Sequence, residues 1–160
     1  MVEKYGLCIL SDSYFERFPY PELMQNKYES RPYFLAVRNG NGIVWLIPLS
    51  SKVDKYRKAI EKTEAKRGSG NCIYQYICRV KGDDSVFLIG DAIPVTDKYI
   101  LRPFTVKGIA YVMEDQADIK AIKSKLGKFL ALVRQGKLKP MVDILQIVRE
   151  LLEELKEESE

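Results

Sequence analysis

The chain has 160 residues, 46% hydrophobic and 30% charged, with a net charge of +4 and no histidine. This predicts a single globular domain over residues 1–160, with enough chain for a real core. Without histidine a serine–histidine relay is excluded, and no stretch approaches the roughly 20 apolar residues of a membrane span.

The N-terminus, Met1-Val2-Glu3-Lys4-Tyr5-Gly6-Leu7-Cys8, lacks the apolar core and small-residue cleavage site of a signal peptide, so a cytoplasmic location is expected. A first strand is predicted over residues 4–10. Residues 11–31 read as a long irregular aromatic segment with Tyr14, Phe15, Phe18, Tyr20 and Tyr28, and with a helical turn near Pro21-Glu22-Leu23-Met24; long connections are often functional. Tyr33–Val37 and Ile43–Leu49 read as two strands of a hairpin, because Asn39-Gly40-Asn41-Gly42 supplies residues that accept the positive φ of tight turns. The second strand is apolar at consecutive positions, as in a strand covered on both faces.

Val53–Lys66 reads as an exposed basic helix ended by Gly68-Ser69-Gly70. Ile73–Val80 alternates, with Tyr74, Tyr76, Cys78 and Val80 on one face. Lys81-Gly82-Asp83-Asp84 is expected to be a turn, and Val86–Ile89 a further strand. Residues 92–95 and 99–101 look like short edge segments. Ile119, Ile122, Leu126, Phe129, Leu130 and Val133 recur every three or four residues, which predicts an amphipathic helix capped by Asp115 and stopped at Gly136. Ile144, Leu145, Val148, Leu151, Leu152 and Leu155 predict a second, with Pro140 at or just before its first turn. Residues 153–160 are expected to be a frayed acidic tail. Strands first and helices last predict an α+β fold with an antiparallel, strongly curled sheet.

Charge is unevenly placed. Residues 149–160 carry −4, residues 52–67 carry +4, and residues 115–139 carry +5. Two basic segments that meet on one surface would suit a polyanion, most often a nucleic acid; exposed lysine-rich helices are the plainer reading. Cys8, Cys72 and Cys78 form no CxxC and are odd in number, so buried thiols are expected. No acidic cluster has metal-ligand spacing, and neither GxGxxG nor GxxxxGK[ST] occurs, so no metal and no cofactor are expected.

What remains is hydroxyl, lysine, tyrosine and arginine chemistry. RNA cleavage needs little more, because the ribose 2′-hydroxyl is itself the nucleophile and the protein has to hold the geometry and stabilise charge on the phosphorus. Ser50-Ser51-Lys52 lies where a strand hands over to a basic helix. Its hydroxyls, ammonium and helix-start amides suit a phosphoryl group. An ordinary N-cap has the same residues.

Tyr33-Phe34-Leu35-Ala36-Val37, followed by Trp45-Leu46-Ile47-Pro48-Leu49-Ser50-Ser51-Lys52, resembles the signature of the ToxN/AbiQ toxins of type III toxin–antitoxin systems. In those toxins an apolar strand ends in Pro-Leu, a hydroxyl residue, Ser and a nearby lysine. Ile89–Val95 and Leu132–Lys137 are similar to later segments of the same family, in the same order. The resemblance implies a MazF/Kid-like curled sheet with added helices, and a toxin with sequence-selective, metal-independent endoribonuclease activity that leaves 2′,3′-cyclic phosphate and 5′-hydroxyl ends. It implies substrates among cellular and phage mRNA, and inhibition by a structured repeat-derived antitoxin RNA that the toxin cuts from its own precursor and holds in a closed assembly. It implies a role in phage defence, with neither DNA nor membrane as partner. Some members place Pro between the second hydroxyl residue and the lysine; here Lys52 follows Ser51 directly and Lys55 lies three further on.

On this reading Ser51 and Lys52 are the expected catalytic pair, with Ser50 as a second donor and Lys55 as a phosphate contact. Tyr14, Tyr33 and Tyr5 are candidates for proton transfer or base stacking, with core packing as the alternative. Arg57, Lys58, Lys62, Lys120, Lys123, Lys125, Lys128, Arg134 and Lys137 are the expected RNA-backbone contacts. Two other readings use the same surface: a non-catalytic RNA-binding module, or an adaptor for an acidic protein.

Overall fold

The computed structural model describes residues 2–23 and 29–160. The order of elements is β1 (Leu7–Leu10), α1 (Asp12–Arg17), β2 (Tyr33–Arg38), β3 (Val44–Ser50), α2 (Val53–Arg67), β4 (Tyr76–Val80), β5 (Asp83–Phe87), β6 (Ile93–Val95), β7 (Ile100–Pro103), β8 (Thr105–Val106), β9 (Ile109–Ala110), α3 (Gln116–Arg134) and α4 (Ile144–Glu158). The fold is mixed α+β on an antiparallel sheet of order β4-β5-β3-β2-β1-β7, with β6 pairing β3 off that path.

The β2–β3 hairpin is the axis of the sheet. Its turn closes as expected: the Asn39 amide donates to the Ile43 carbonyl at 2.8 Å, and Gly42 takes φ +94°. A Cβ at Gly42 would meet a Leu155 methyl carbon at 2.8 Å, so the hairpin tip is fitted against α4. β3 is buried from Val44 to Leu49, which the unbroken apolar run requires of a strand covered on both faces. α3 packs over β2 and over the 3₁₀ turn Ile89–Asp91, and α4 packs over β6.

One edge of β3 is divided between two partners. Val44–Leu46 pair with β6, and Leu49–Ser50 pair with β5. Pro48 sits beside this fork, where its missing N–H costs nothing, and its carbonyl still accepts from Leu88 at 2.9 Å. The sheet therefore stays open, with β4 and β7 as its unpaired ends. The strongly curled sheet expected from the sequence is not found. Rolling it further would need continuous pairing along the edge that the three-residue β6 and the β4–β5 hairpin share.

Other differences are local. Residues 12–17 form α1 rather than irregular chain, because the Ser11 side chain accepts from the Ser13 amide and caps it. The helical turn expected near residues 21–24 reaches Met24, which lies outside the described residues, as does Tyr28. Asp83 and Asp84 belong to β5, not to a turn; the turn is Lys81-Gly82, both at positive φ. The acidic end is helical to Glu158 and is held by ion pairs. Asp115 caps α3, accepting from the Asp118 amide at 3.0 Å, and Gly136 (φ +73°) follows its end as predicted. α4 begins at Ile144 under an Asp143 cap, so Pro140 precedes the helix altogether. All three cysteines are free and buried, and desolvation pushes the Cys8 and Cys78 thiols up to about 12.

Candidate functional site

β3 ends at Ser50, and α2 starts three residues later, at Val53. The Ser50 hydroxyl accepts from the Lys52 amide at 3.2 Å, a local turn that bends the chain into the helix. The residue at the N-cap position is Lys52, and α2 has no side-chain cap. The capping role open to Ser51 is therefore not taken up: its side chain is exposed, and its hydroxyl has no partner among the described residues. The Ser51 carbonyl accepts from Val53 at 2.9 Å, and the Lys52 carbonyl from Tyr56 at 3.3 Å. The amides of Asp54 and Lys55 keep no protein partner among the described residues, so the open end of the helix dipole lies beside two hydroxyls.

Lys52 and Lys55 are both exposed at this end, and the Lys55 ammonium lies 5.1 Å from the Tyr56 ring centroid. α2 buries none of its residues fully, and Arg57, Lys58 and Lys62 are solvent-facing. Arg57 reaches Asp84 at only 3.6 Å, with both side chains half exposed, a pair too screened to neutralise the helix. The arrangement can hold an oxyanion: two hydroxyls, open amides and two exposed lysines lie within six consecutive residues, 50–55, and no carboxylate is ion-paired to Lys52 or Lys55 among the described residues.

A residue that the sequence reading missed lies beneath this turn. Arg31 is only 6% exposed, and its guanidinium donates to the Leu49 carbonyl at 2.8 Å, one residue before Ser50. Its charge also acts on Asp91: crowding by protein raises the Asp91 carboxyl, and Arg31 draws it back. Arg31 stands two residues ahead of the predicted β2 strand, and a lone arginine at the end of an irregular segment carries no signal that it will be buried.

The three tyrosine candidates separate. Tyr14 is fully buried, and its hydroxyl donates to the Pro94 carbonyl at 2.9 Å. Burial raises its pKa well above the ordinary value, so the catalytic role expected for Tyr14 does not fit its surroundings, which are those of core packing. Tyr33 is 1% exposed, and its hydroxyl is buried without a hydrogen-bond partner among the described residues; desolvation raises its pKa strongly. Only Tyr5 reaches solvent, where the Lys123 ammonium donates to its hydroxyl at 2.9 Å.

The α3 cations also separate. Lys120, Lys128, Arg134 and Lys137 are exposed. Lys125 instead donates to the carbonyls of Gly70 and Cys72, at 2.9 and 2.7 Å, and so ties the loop after α2 to α3. No cluster of metal-ligating side chains occurs among the described residues, and no described helix is long and apolar enough to cross a membrane.

These features define an open antiparallel α+β domain with a basic helix rising from the end of its central strand. No protein-family model matches the chain, and no curated protein matches it. The fold is similar to that of a solved structure described in the words "A processed non-coding RNA regulates a bacterial antiviral system". The TM-score is 0.55 and the identity 15%, over 84% of this chain and 89% of that one. At this identity the likeness is one of fold.

Proposed function

We propose that this protein is an RNA-cleaving toxin of the ToxN/AbiQ kind, restrained by a structured RNA. The observation that carries the reading is the state of the Ser50-Ser51-Lys52 turn: Ser51 does not cap α2, and its hydroxyl is left facing solvent beside open helix amides and two lysines. The Pro-Leu-Ser-Ser-Lys signature supports the reading, as does the fold shared with a component of an RNA-regulated antiviral system.

In this reading a phosphodiester seats on the open amides of Asp54 and Lys55. Ser51 hydrogen-bonds a phosphoryl oxygen, and Ser50 fixes the turn through the Lys52 amide. The substrate's 2′-hydroxyl attacks the adjacent phosphorus and gives its proton to solvent, the P–O5′ bond breaks, and the leaving 5′-oxygen takes a proton from solvent, so that a 2′,3′-cyclic phosphate and a 5′-hydroxyl remain. Lys52, with Lys55 behind it, stabilises the charge that builds on the non-bridging oxygens. Tyr14 and Tyr33 lie in the core and take no part. The exposed cations of α2 and α3 contact phosphates and set affinity, while unpaired bases near Ser51 set the choice of sequence.

The test is incubation of purified protein with a mixed-sequence RNA in the presence of EDTA. Cleavage to cyclic-phosphate ends, abolished when the 2′-hydroxyls are methylated, is the expected result. Tight, salt-sensitive RNA binding without any cleavage would instead establish the non-catalytic RNA-binding module.

A further inference from the structure

We propose that Lys4, Tyr5 and Lys123 form a second phosphate-binding station, separate from the Ser51 turn, which grips an RNA backbone several nucleotides from the cut. The inference takes its ligand class from the function proposed above, but it does not depend on the chemistry at Ser51.

Tyr5 is one of four non-glycine residues with positive φ among those described, at +65°. For an L-residue that conformation is strained, and a strained position kept by its surroundings marks a place where geometry matters. Its surroundings do keep it: the Tyr5 amide donates to the Leu35 carbonyl at 3.2 Å, and its carbonyl accepts from Met113 at 2.9 Å. The ring lies nearly parallel to Phe34, 17° between planes and 6.2 Å between centroids, which fixes where the phenol points.

Two cations converge on this ring. The Lys123 ammonium lies 2.9 Å from the hydroxyl and 5.2 Å from the centroid, and the Lys4 ammonium 5.1 Å from the centroid. Neither lysine has a carboxylate partner among the described residues. The hydrogen bond from Lys123 lowers the phenol's pKa below its ordinary value, and Lys4 adds to the effect. Two positive charges therefore share one weakly acidic phenol and remain largely uncompensated, an arrangement that a phosphate completes with charge-assisted hydrogen bonds.

The station is distinct from the Ser51 turn. Tyr5 bonds to Leu35, Leu35 pairs with Leu46, and Ser51 lies five residues farther along the chain of β3. At about 3.3 Å per residue that is about 17 Å along the strand, before the sideways step from β1 to β3 is added. One phosphate cannot serve both places.

The experiment uses a fluorescent 16-nucleotide 2′-O-methyl oligouridylate, which has no 2′-hydroxyl to attack. Its affinity is measured against salt for the wild-type chain and for Lys4→Ala, Lys123→Ala, Lys123→Arg and the control Lys156→Ala, an exposed lysine of α4. The same oligonucleotide is tested for protection of Tyr5 against N-acetylimidazole, read by mass spectrometry. Support is a salt slope reduced by about 0.7 in Lys4→Ala and in Lys123→Ala, retained in Lys123→Arg and Lys156→Ala, with Tyr5 protected by the RNA. If RNA binds with an unchanged slope and Tyr5 still acetylates, the station is overturned while the RNA reading stands. If no RNA binds, both fall. Protection by polyglutamate but not by RNA overturns the phosphate assignment in favour of an acidic protein.

Discussion

The guanidinium of Arg31 donates to the carbonyl of Leu49 at 2.8 Å, from a position almost closed to solvent. The bond secures the last turn of β3 immediately before Ser50, so it couples a buried charge to the geometry of the exposed turn. Replacing Arg31 with Ala leaves that carbonyl without its partner and Asp91 without its counter-charge. A loss of about 1–3 kcal/mol of stability is expected, checked by urea unfolding. Arg31→Lys keeps the charge but not the planar fork, and should fall between Ala and wild type in both stability and RNA cleavage.

Ser51→Ala separates the two roles open to that residue. Loss of an N-cap would cost about 0.5–2 kcal/mol, whereas loss of a phosphate-facing hydroxyl leaves stability alone and lowers cleavage on the order of a hundredfold. Because Ser51 caps nothing in the structure, an unchanged melting temperature with lost cleavage is expected. Lys52→Ala should behave in the same way. A Ser51→Ala protein that cuts RNA at the wild-type rate would remove Ser51 from the site.

Tyr33→Phe is expected to fold at least as stably as wild type. The Tyr33 hydroxyl is buried without a partner among the described residues, so deleting it removes a desolvation cost and breaks no bond to them. Cleavage should be unchanged as well. A large loss of activity with normal folding would restore the proton-transfer role first considered for this residue.

The Tyr99 hydroxyl donates to Glu154 at 2.9 Å, Arg17 reaches the same carboxylate at 2.7 Å and Lys98 at 3.3 Å. Burial alone would raise the Glu154 pKa, but hydrogen bonds from Tyr99, Arg17 and Lys98 together outweigh it and hold the carboxyl below its ordinary value. A depressed folded-state pKa adds stability that is present above the unfolded value, near 4.3, and is lost as pH falls through the folded one. Thermal stability should therefore fall below about pH 5 in wild type, and more shallowly in Glu154→Gln. A parallel pH dependence in the two proteins would mean that this carboxylate contributes no acid sensitivity.

Local signals in the sequence were strong enough to place the β2–β3 hairpin, α2, α3 and α4. Asn-Gly steps fix a turn within four residues, an apolar period of three to four fixes a helix face, and Asp115 and Gly136 mark the ends of α3. They also placed Ser50, Ser51 and Lys52 together at a strand-to-helix junction, since neighbours in sequence stay neighbours in space. Contacts between distant segments decided the rest. The fork of β3 between β5 and β6 kept the sheet open. Burial withdrew Tyr14 and Tyr33 into the core, and Arg31 came under Leu49 across 18 residues of chain. Arg17, Lys98 and Tyr99 held the acidic helix end that composition alone describes as frayed. Lys123 met Tyr5 across 118 residues. A sequence prices each side chain by its own solvation and its near neighbours, whereas these outcomes depend on which partner a remote segment brings, and that is set only when the layers pack.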